Sequence, residues 1–514
     1  MRAMTVTART SFGALCGTEA DGVLCFLGVP YAKPPVGALR FREPEAPEPW
    51  SGTRSAQRFG NAALQLPNKL AQVGEPSEDC LYLNVWTQGL TGQRPVMVFV
   101  HGGGYVFGSA SEPTYVGRAL AERGDAVVVT INYRLSALGF LYLSEVLPNA
   151  GCPANAGLLD VLAALSWVRD EIAAFGGDPT NVTVFGESAG GGIVSALYAV
   201  ERARGWFSRA ISQSGGLRVM PTHAASAIAS ELLHLLDIDP KRPERLWALP
   251  GEQIVAATSR LTSPGLWGVS SREANAVRPT FRFGPVADGA LLPDDLVRGV
   301  IHQANPAPLL IGTNLHEWRF FSRLVPEFAW GEPGSIQSQL RVAFGAHAEL
   351  LLETYARAAD LLGASLEDTA DAIIGDAVFR MPSICLAQAT SAHAPVFMYL
   401  LDHRCRRRRG ALGACHVVDL GLVFRTLESP SGRYFAGDTP EARSLSDVMS
   451  DAWLAFARNG NPCTKALAPW PAYDATRRAT RMLGPLGAVV DDPLAAQRCV
   501  WEQLGRFSSA PPLP

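Results

Sequence analysis

The chain has no C-x-x-C. Its nine cysteines (Cys16, Cys25, Cys80, Cys152, Cys385, Cys405, Cys415, Cys463 and Cys499) are odd in number and scattered. That spacing speaks against a zinc ribbon and against a dithiol redox motif, and the thiols read as reduced, packed side chains. No apolar run approaches the ~20 residues needed to cross a bilayer. Met1–Gly17 carries Arg2 and Arg9 but lacks the apolar stretch of a secretory leader, so a cytoplasmic protein without a membrane partner is expected. A basic excess is also missing. Lys and Arg number 45 against 48 Asp and Glu, a net charge of -3, which argues against a nucleic-acid partner. Internal repeats and low-complexity linkers are absent. What remains is a chain of 514 residues, 47% hydrophobic and 18% charged, able to bury a large core.

Strand-like and helix-like patterns alternate through the first half. Val96–Val100 and Ala126–Ile131 are continuous apolar runs, Leu158–Ile172 has helical periodicity, and Asn181–Phe185 is again short and β-branched. Apolar runs without polar alternation suit strands covered on both faces. The expectation is an α/β fold with a mostly parallel central sheet flanked by helices, forming one domain over 1–514. The stretch 221–392 differs, being rich in helical patterns such as Ala225–Leu236 and Glu349–Ala364. It reads as a helical cap inserted between sheet strands and overlying the site. Leu445–Arg458 is a further helix.

The chemistry centres on Gly186-Glu187-Ser188-Ala189-Gly190, a G-x-S-x-G between a strand pattern and a helix pattern. A serine on such a turn is forced out of the backbone with its hydroxyl exposed, and its neighbours must be small. A serine hydroxyl is a weak nucleophile at neutral pH and needs a histidine, held by a carboxylate, to take its proton. On this kind of sheet the acid and then the histidine follow the serine along the chain. His416, after the strand Phe397–Leu401 and the loop 410–415, is the best placed histidine, and its neighbour Cys415 reads as a bystander. Glu317, just past the strand Leu309–Ile311, and Asp288 are rival acids, with position favouring Glu317. His101-Gly102-Gly103-Gly104-Tyr105 follows the strand Val96–Val100 and offers bare N–H groups for an oxyanion hole, with Ala189 N–H as partner. This chemistry needs no metal and no organic cofactor.

At this point the chain resembles the type-B carboxylesterase family of α/β-hydrolases, along nearly its whole length. The resemblance rests on Phe26–Gly37 with Arg40-Phe41, on Glu78–Val85, on the glycine triplet and on Asn132-Tyr133-Arg134-Leu135. It continues through the serine turn, Ser212–Gly215, Gly312–Asn314 with Glu317, Gly413–His416 and Trp470–Tyr473. It implies Ser188 as nucleophile, Glu317 as acid in preference to Asp288, and His416 as base. Gly103, Gly104 and Ala189 become the oxyanion donors. It further implies buried ion pairs Arg40–Glu78 and Arg134–Asp160. The implied function is hydrolysis of small to medium carboxylic esters through an acyl-enzyme, with a small-molecule ester as the partner. Amide, carbamate or natural-product ester cleavage by the same triad is the alternative, as is a non-catalytic binding module.

The departures also inform. Secreted relatives bridge the cysteine at the Cys80 position to one upstream, and 62–68 has none, so Cys80 is expected to be free, in keeping with a bacterial intracellular enzyme. No tryptophan lies between Phe59 and Glu78, which removes the basis for a choline site. That segment is also short, against interfacial lipase action. Trp318 stands after the acid, where the family often has glycine.

Substrate-binding walls are expected from Trp267, Trp318 and Phe321, with Phe320, Phe328 and Trp330 as further candidates against a plain core role. Arg404–Arg409 is the one dense charge run, either a solvated loop or a cationic mouth that draws in anionic esters. Oligomeric state is not legible, and a monomer is the default expectation.

Overall fold

β-branched and apolar runs build the centre of the molecule. A computed structural model describes residues 4–262, 281–303, 306–358 and 361–505. Val96–Val100, Val127–Val129, Val184–Phe185 and Leu309–Ile311 are wholly buried, as strands covered on both faces must be. Among the described residues they belong to a 13-stranded sheet. Its central part runs Val127–Ile131, Arg94–Val100, Gly177–Glu187, Arg209–Gln213, Leu309–Asn314, Val396–Leu401 and Ala479–Leu483, every neighbouring pair parallel. Antiparallel strands extend both edges: Tyr82–Thr87 and the N-terminal Met4–Pro30 meander on one side, Val489–Asp491 on the other. The expected α/β-hydrolase architecture is therefore present.

Helices cover each face with separate apolar clusters. Ala156–Glu171 presents Leu158, Val161, Leu165 and Val168 to one face, and Pro440–Asn459 presents Met449, Trp453 and Phe456 to the other. The latter helix is well punctuated. Thr439 Oγ1 accepts from Ala442 N, proline opens the first turn, and Gly460 at φ 79° takes the left-handed exit.

The described residues of 221–392 are mostly helical, broken by the sheet strand Leu309–Asn314 and by Val286–Ala287, which pairs with Met220–Pro221. Some boundaries differ from the sequence reading. The helix expected over 349–364 spans Ala348–Ala356, and beyond it Ala358 N, Leu361 N and Ala364 N bond three residues back, as turns do, instead of continuing the α-helical ladder. The strand before the serine runs over Gly177–Glu187, longer than expected, with a register shift between Gly177 and Val182.

Both implied ion pairs are present. Arg134 binds Asp160 through Nε at 2.8 Å and Nη2 at 2.6 Å, both side chains buried. Arg40 grips Glu78 with two hydrogen bonds and gives Nη1 to the carbonyls of Leu246, Trp247 and Leu249, tying the helix Glu244–Ala248 to the N-terminal segment. All nine cysteines, Cys80 included, are free thiols. Among the described residues, no helix is long and apolar enough to cross a membrane.

Candidate active site

Four connections leave the C-terminal ends of parallel strands of the central sheet, where open α/β sheets collect their functional groups. They carry Gly103, Ser188, Glu317 and His416. Ser188 joins the strand Gly177–Glu187 to the helix Ala189–Ala196 at φ 56° and ψ -121°, a backbone state few non-glycine residues accept. Its neighbours hold it there. Ser188 N donates to Gln213 O at 2.9 Å, and Gly192 N to Ser188 O at 2.8 Å. A Cβ on Gly190 would collide with the carbonyl oxygen of Val100, and one on Gly186 would lie 2.5 Å from Gly190 C. Only glycine lets the turn seat itself against the neighbouring strand.

Glu317 lies just past the strand Leu309–Asn314 and is buried. Its Oε1 accepts from Ser214 Oγ at 2.5 Å and from Asn314 N at 2.7 Å, and its Oε2 meets His416 Nδ1 at 2.7 Å. The loop bearing His416 is clamped to the same strand end. Asn314 Nδ2 donates to Cys415 O, His316 N to Ala414 O, and Ala414 N to His316 Nδ1. Burial pushes His316 down to about 3, so it remains a neutral acceptor. The rival Asp288 lies elsewhere, with Oδ1 accepting the N–H groups of Ala290, Leu291 and Leu292 as the bracket of a turn.

The His416 ring is sealed by Phe379, Phe321 and Phe320, with centroids 4.7, 5.2 and 5.9 Å away. Burial opposes the imidazolium, but the carboxylates of Glu187 and Glu317 outweigh it and raise His416 above its ordinary value. Burial itself pushes Glu187 up to about 8. His416 Nε2 has no hydrogen-bond partner and lies 3.2 Å from Glu187 Oε1. It shares a cavity of about 290 Å³ with Ser188, Gly103 and Gly104. Catalytic serine–histidine hydrogen bonds often form only with substrate in place.

Gly103 and Gly104 have φ of 105° and 60°, and a Cβ on Gly103 would strike the carbonyl oxygen of Phe107. Their loop is braced from below by His101, wholly buried and stacked on Tyr133, whose hydroxyl donates to His101 O at 2.9 Å. Burial holds His101 down at about 4, a neutral strut. Ala189 opens the helix directly after Ser188, so its N–H belongs to the first turn. Among the described residues, no group of three or more His, Cys, Asp or Glu could hold a metal ion.

The Carboxylesterase family model matches residues 4–499. The para-nitrobenzyl esterase of Bacillus subtilis (strain 168) is 37% identical over 495 residues, 95% of this chain and 97% of that one. Fumonisin B1 esterase of Sphingopyxis macrogoltabida is 36% identical, over 90% and 84% of the two chains. Among solved structures, a Geobacillus stearothermophilus carboxylesterase superposes with a TM-score of 0.85 at 36% identity, over 96% of this chain and 99% of that one. The chain belongs to the carboxylesterase family. It is accordingly a carboxylic ester hydrolase.

Around the reactive groups, the enzyme's cavity wall is aromatic: Phe107, Phe281, Phe320, Phe321, Phe328 and Phe435. Of the expected wall residues, Phe321 is in place. Trp318 is not on the wall, since its ring stacks on Phe321 at 4.8 Å and meets Phe328 edge-on, packing behind them. Trp318 and Phe321 stand three residues apart on one face of the short helix Trp318–Leu324, which is why their rings stack. Trp330 donates to Asp371 Oδ1 and is likewise off the wall, while Trp267 lies outside the described residues. Nor does the run Arg404–Arg409 line the cavity. Its arginines are exposed, with Arg404 paired to Asp402 and Arg406 to Glu441. Sequence reasoning missed Glu187 and Ser214. Both lay within quoted motifs, but only the structure shows them meeting the imidazole and its carboxylate.

Proposed function

We propose that Ser188 is the nucleophile, His416 the general base and Glu317 the acid that orients the imidazole. In this reading Ser188 Oγ attacks the ester carbonyl while His416 Nε2 takes its proton. His416 then returns the proton to the departing alkoxide, and water repeats the sequence on the acyl-enzyme. The N–H groups of Gly103, Gly104 and Ala189 receive the oxyanion, each worth about 2.7–4 kcal/mol in the transition state. The observation that carries the reading is the 2.7 Å bond from His416 Nδ1 to Glu317 Oε2, beside a serine held in a strained turn on the same cavity. It fixes the tautomer that leaves Nε2 free to act.

Small to medium esters fit a cavity of about 290 Å³ with phenyl walls. The helical stretch 221–392 serves as a cap, supplying Phe281, Phe321 and Phe328 to those walls. Nine free thiols favour a reducing, cytoplasmic setting. No second copy is required, since all the reacting groups come from one chain. With Ser188, Glu317 and His416 intact, a non-catalytic binding role is disfavoured. Ser188→Ala is expected to abolish p-nitrophenyl acetate hydrolysis without lowering the melting temperature. Retention of most activity in that variant overturns the assignment.

A further inference from the structure

The cavity holds a cation that the ester chemistry above does not use. Arg282 lines the wall beside Phe281, and its Nε is sealed from solvent without a hydrogen-bond partner. Arg218 stands over the same ring. Its guanidinium carbon lies 5.7 Å from the Phe281 centroid and 5.3 Å from that of Phe379, the ring that packs on His416. Arg218 Nε and Nη1 are also buried and unpartnered.

Among the described residues, neither arginine has a carboxylate within ion-pair distance. Glu231 influences Arg282 electrostatically but is engaged by the N–H and hydroxyl of Thr262. Glu317, the carboxylate felt by Arg218, already bonds His416, Ser214 and Asn314. Arg282 is half-buried with its Nε sealed, and guanidinium donors withheld from water in this way are costly unless an anion completes them. The fork of an arginine suits a carboxylate in particular.

We propose that Arg282, backed by Arg218, is an anion-recognising corner of the cavity, and that the enzyme prefers esters bearing a free carboxylate. The inference rests on the esterase reading and specifies its substrate class. The acidic groups on the same wall do not cancel the corner. Desolvation pushes the half-buried Glu112 and the buried Glu187 up to about 8, so neither brings a full negative charge to the wall at pH 7, and Glu327 is exposed on the rim.

The test uses the full-length enzyme and two matched ester pairs. p-Nitrophenyl hydrogen succinate against p-nitrophenyl butyrate places the carboxylate on the acyl side. 4-Carboxyphenyl against 4-carbamoylphenyl butyrate places it on the alcohol side. For at least one pair the wild-type kcat/KM favours the anionic ester, and the pair identifies the side. Arg282→Gln lowers that anionic-to-neutral ratio at least about tenfold, the scale of one charged hydrogen bond. Arg282→Lys retains part of the preference, and Arg406→Gln, in the exposed run, leaves the ratio within twofold. A wild-type ratio below one for both pairs, or a ratio unmoved by Arg282→Gln in a variant that melts normally, overturns the proposal. Failure to hydrolyse even the neutral butyrates would instead overturn the esterase reading.

Discussion

The floor of the cavity and its wall are built by different means. On the floor, Ser188, the Gly103–Gly104 loop and the Glu317–His416 pair are each held by backbone hydrogen bonds, by glycines that admit no Cβ, and by strand ends. The wall is held by ring packing: Phe321 touches Trp318, Phe320, Phe328, Phe379 and His416 within centroid distances of about 6 Å. Backbone-built positions tolerate few residue types, whereas a packed ring can be exchanged for another apolar group of similar volume. The floor should therefore set whether reaction occurs, and the wall which ester reacts.

The sharpest way to break this contrast is to alter the floor without changing its shape. Glu317→Gln keeps the volume but removes the charge that holds the Nδ1–H tautomer, and kcat should fall by roughly 10⁴. A loss below tenfold would place the orienting role elsewhere. A second test follows from the raised His416. The neutral imidazole is the working base, so kcat/KM should fall as pH drops through a midpoint above 6.5, by tenfold per unit below it. A pH profile with its acid midpoint at or under 6.5 would mean that Glu317 does not hold the imidazolium.

The wall should answer more gently and in a different parameter. Phe321→Ala opens space next to the reacting groups and is expected to shift the preference among acetate, butyrate and octanoate p-nitrophenyl esters by about tenfold, the scale of one pocket contact. Trp318→Phe, one layer behind, should move that preference less than twofold. Its Nε1 has no hydrogen-bond partner to lose. Equal effects from both variants would dissolve the distinction between the wall and its backing.

The same contrast explains what could be read from the sequence. The serine turn was legible because its geometry demands G-x-S-x-G. The glycine triplet was legible because N–H groups that approach a substrate closely leave no room for side chains. Glu317 and Asp288 both follow strands, so position alone left two candidates. What separated them was the family resemblance and, in three dimensions, the use of Asp288 as a turn bracket. The wall was poorly legible. An aromatic residue reads alike whether it lines a cavity, as Phe321 does, or backs it, as Trp318 does. Charge misled in the same way, since the dense run Arg404–Arg409 is solvated and Arg282, set between Phe281 and Phe283, faces the cavity. Helix ends such as Ala356, where the bonding passes from the α-helical ladder to turns, are not encoded in composition.

The central claim is that one serine on the floor carries the acyl group. Intact-mass analysis after exposure to a fluorophosphonate tests it most directly. A single adduct that maps to Ser188 and disappears in Ser188→Ala is the predicted result. An adduct on another residue, or labelling that survives the substitution, would contradict it.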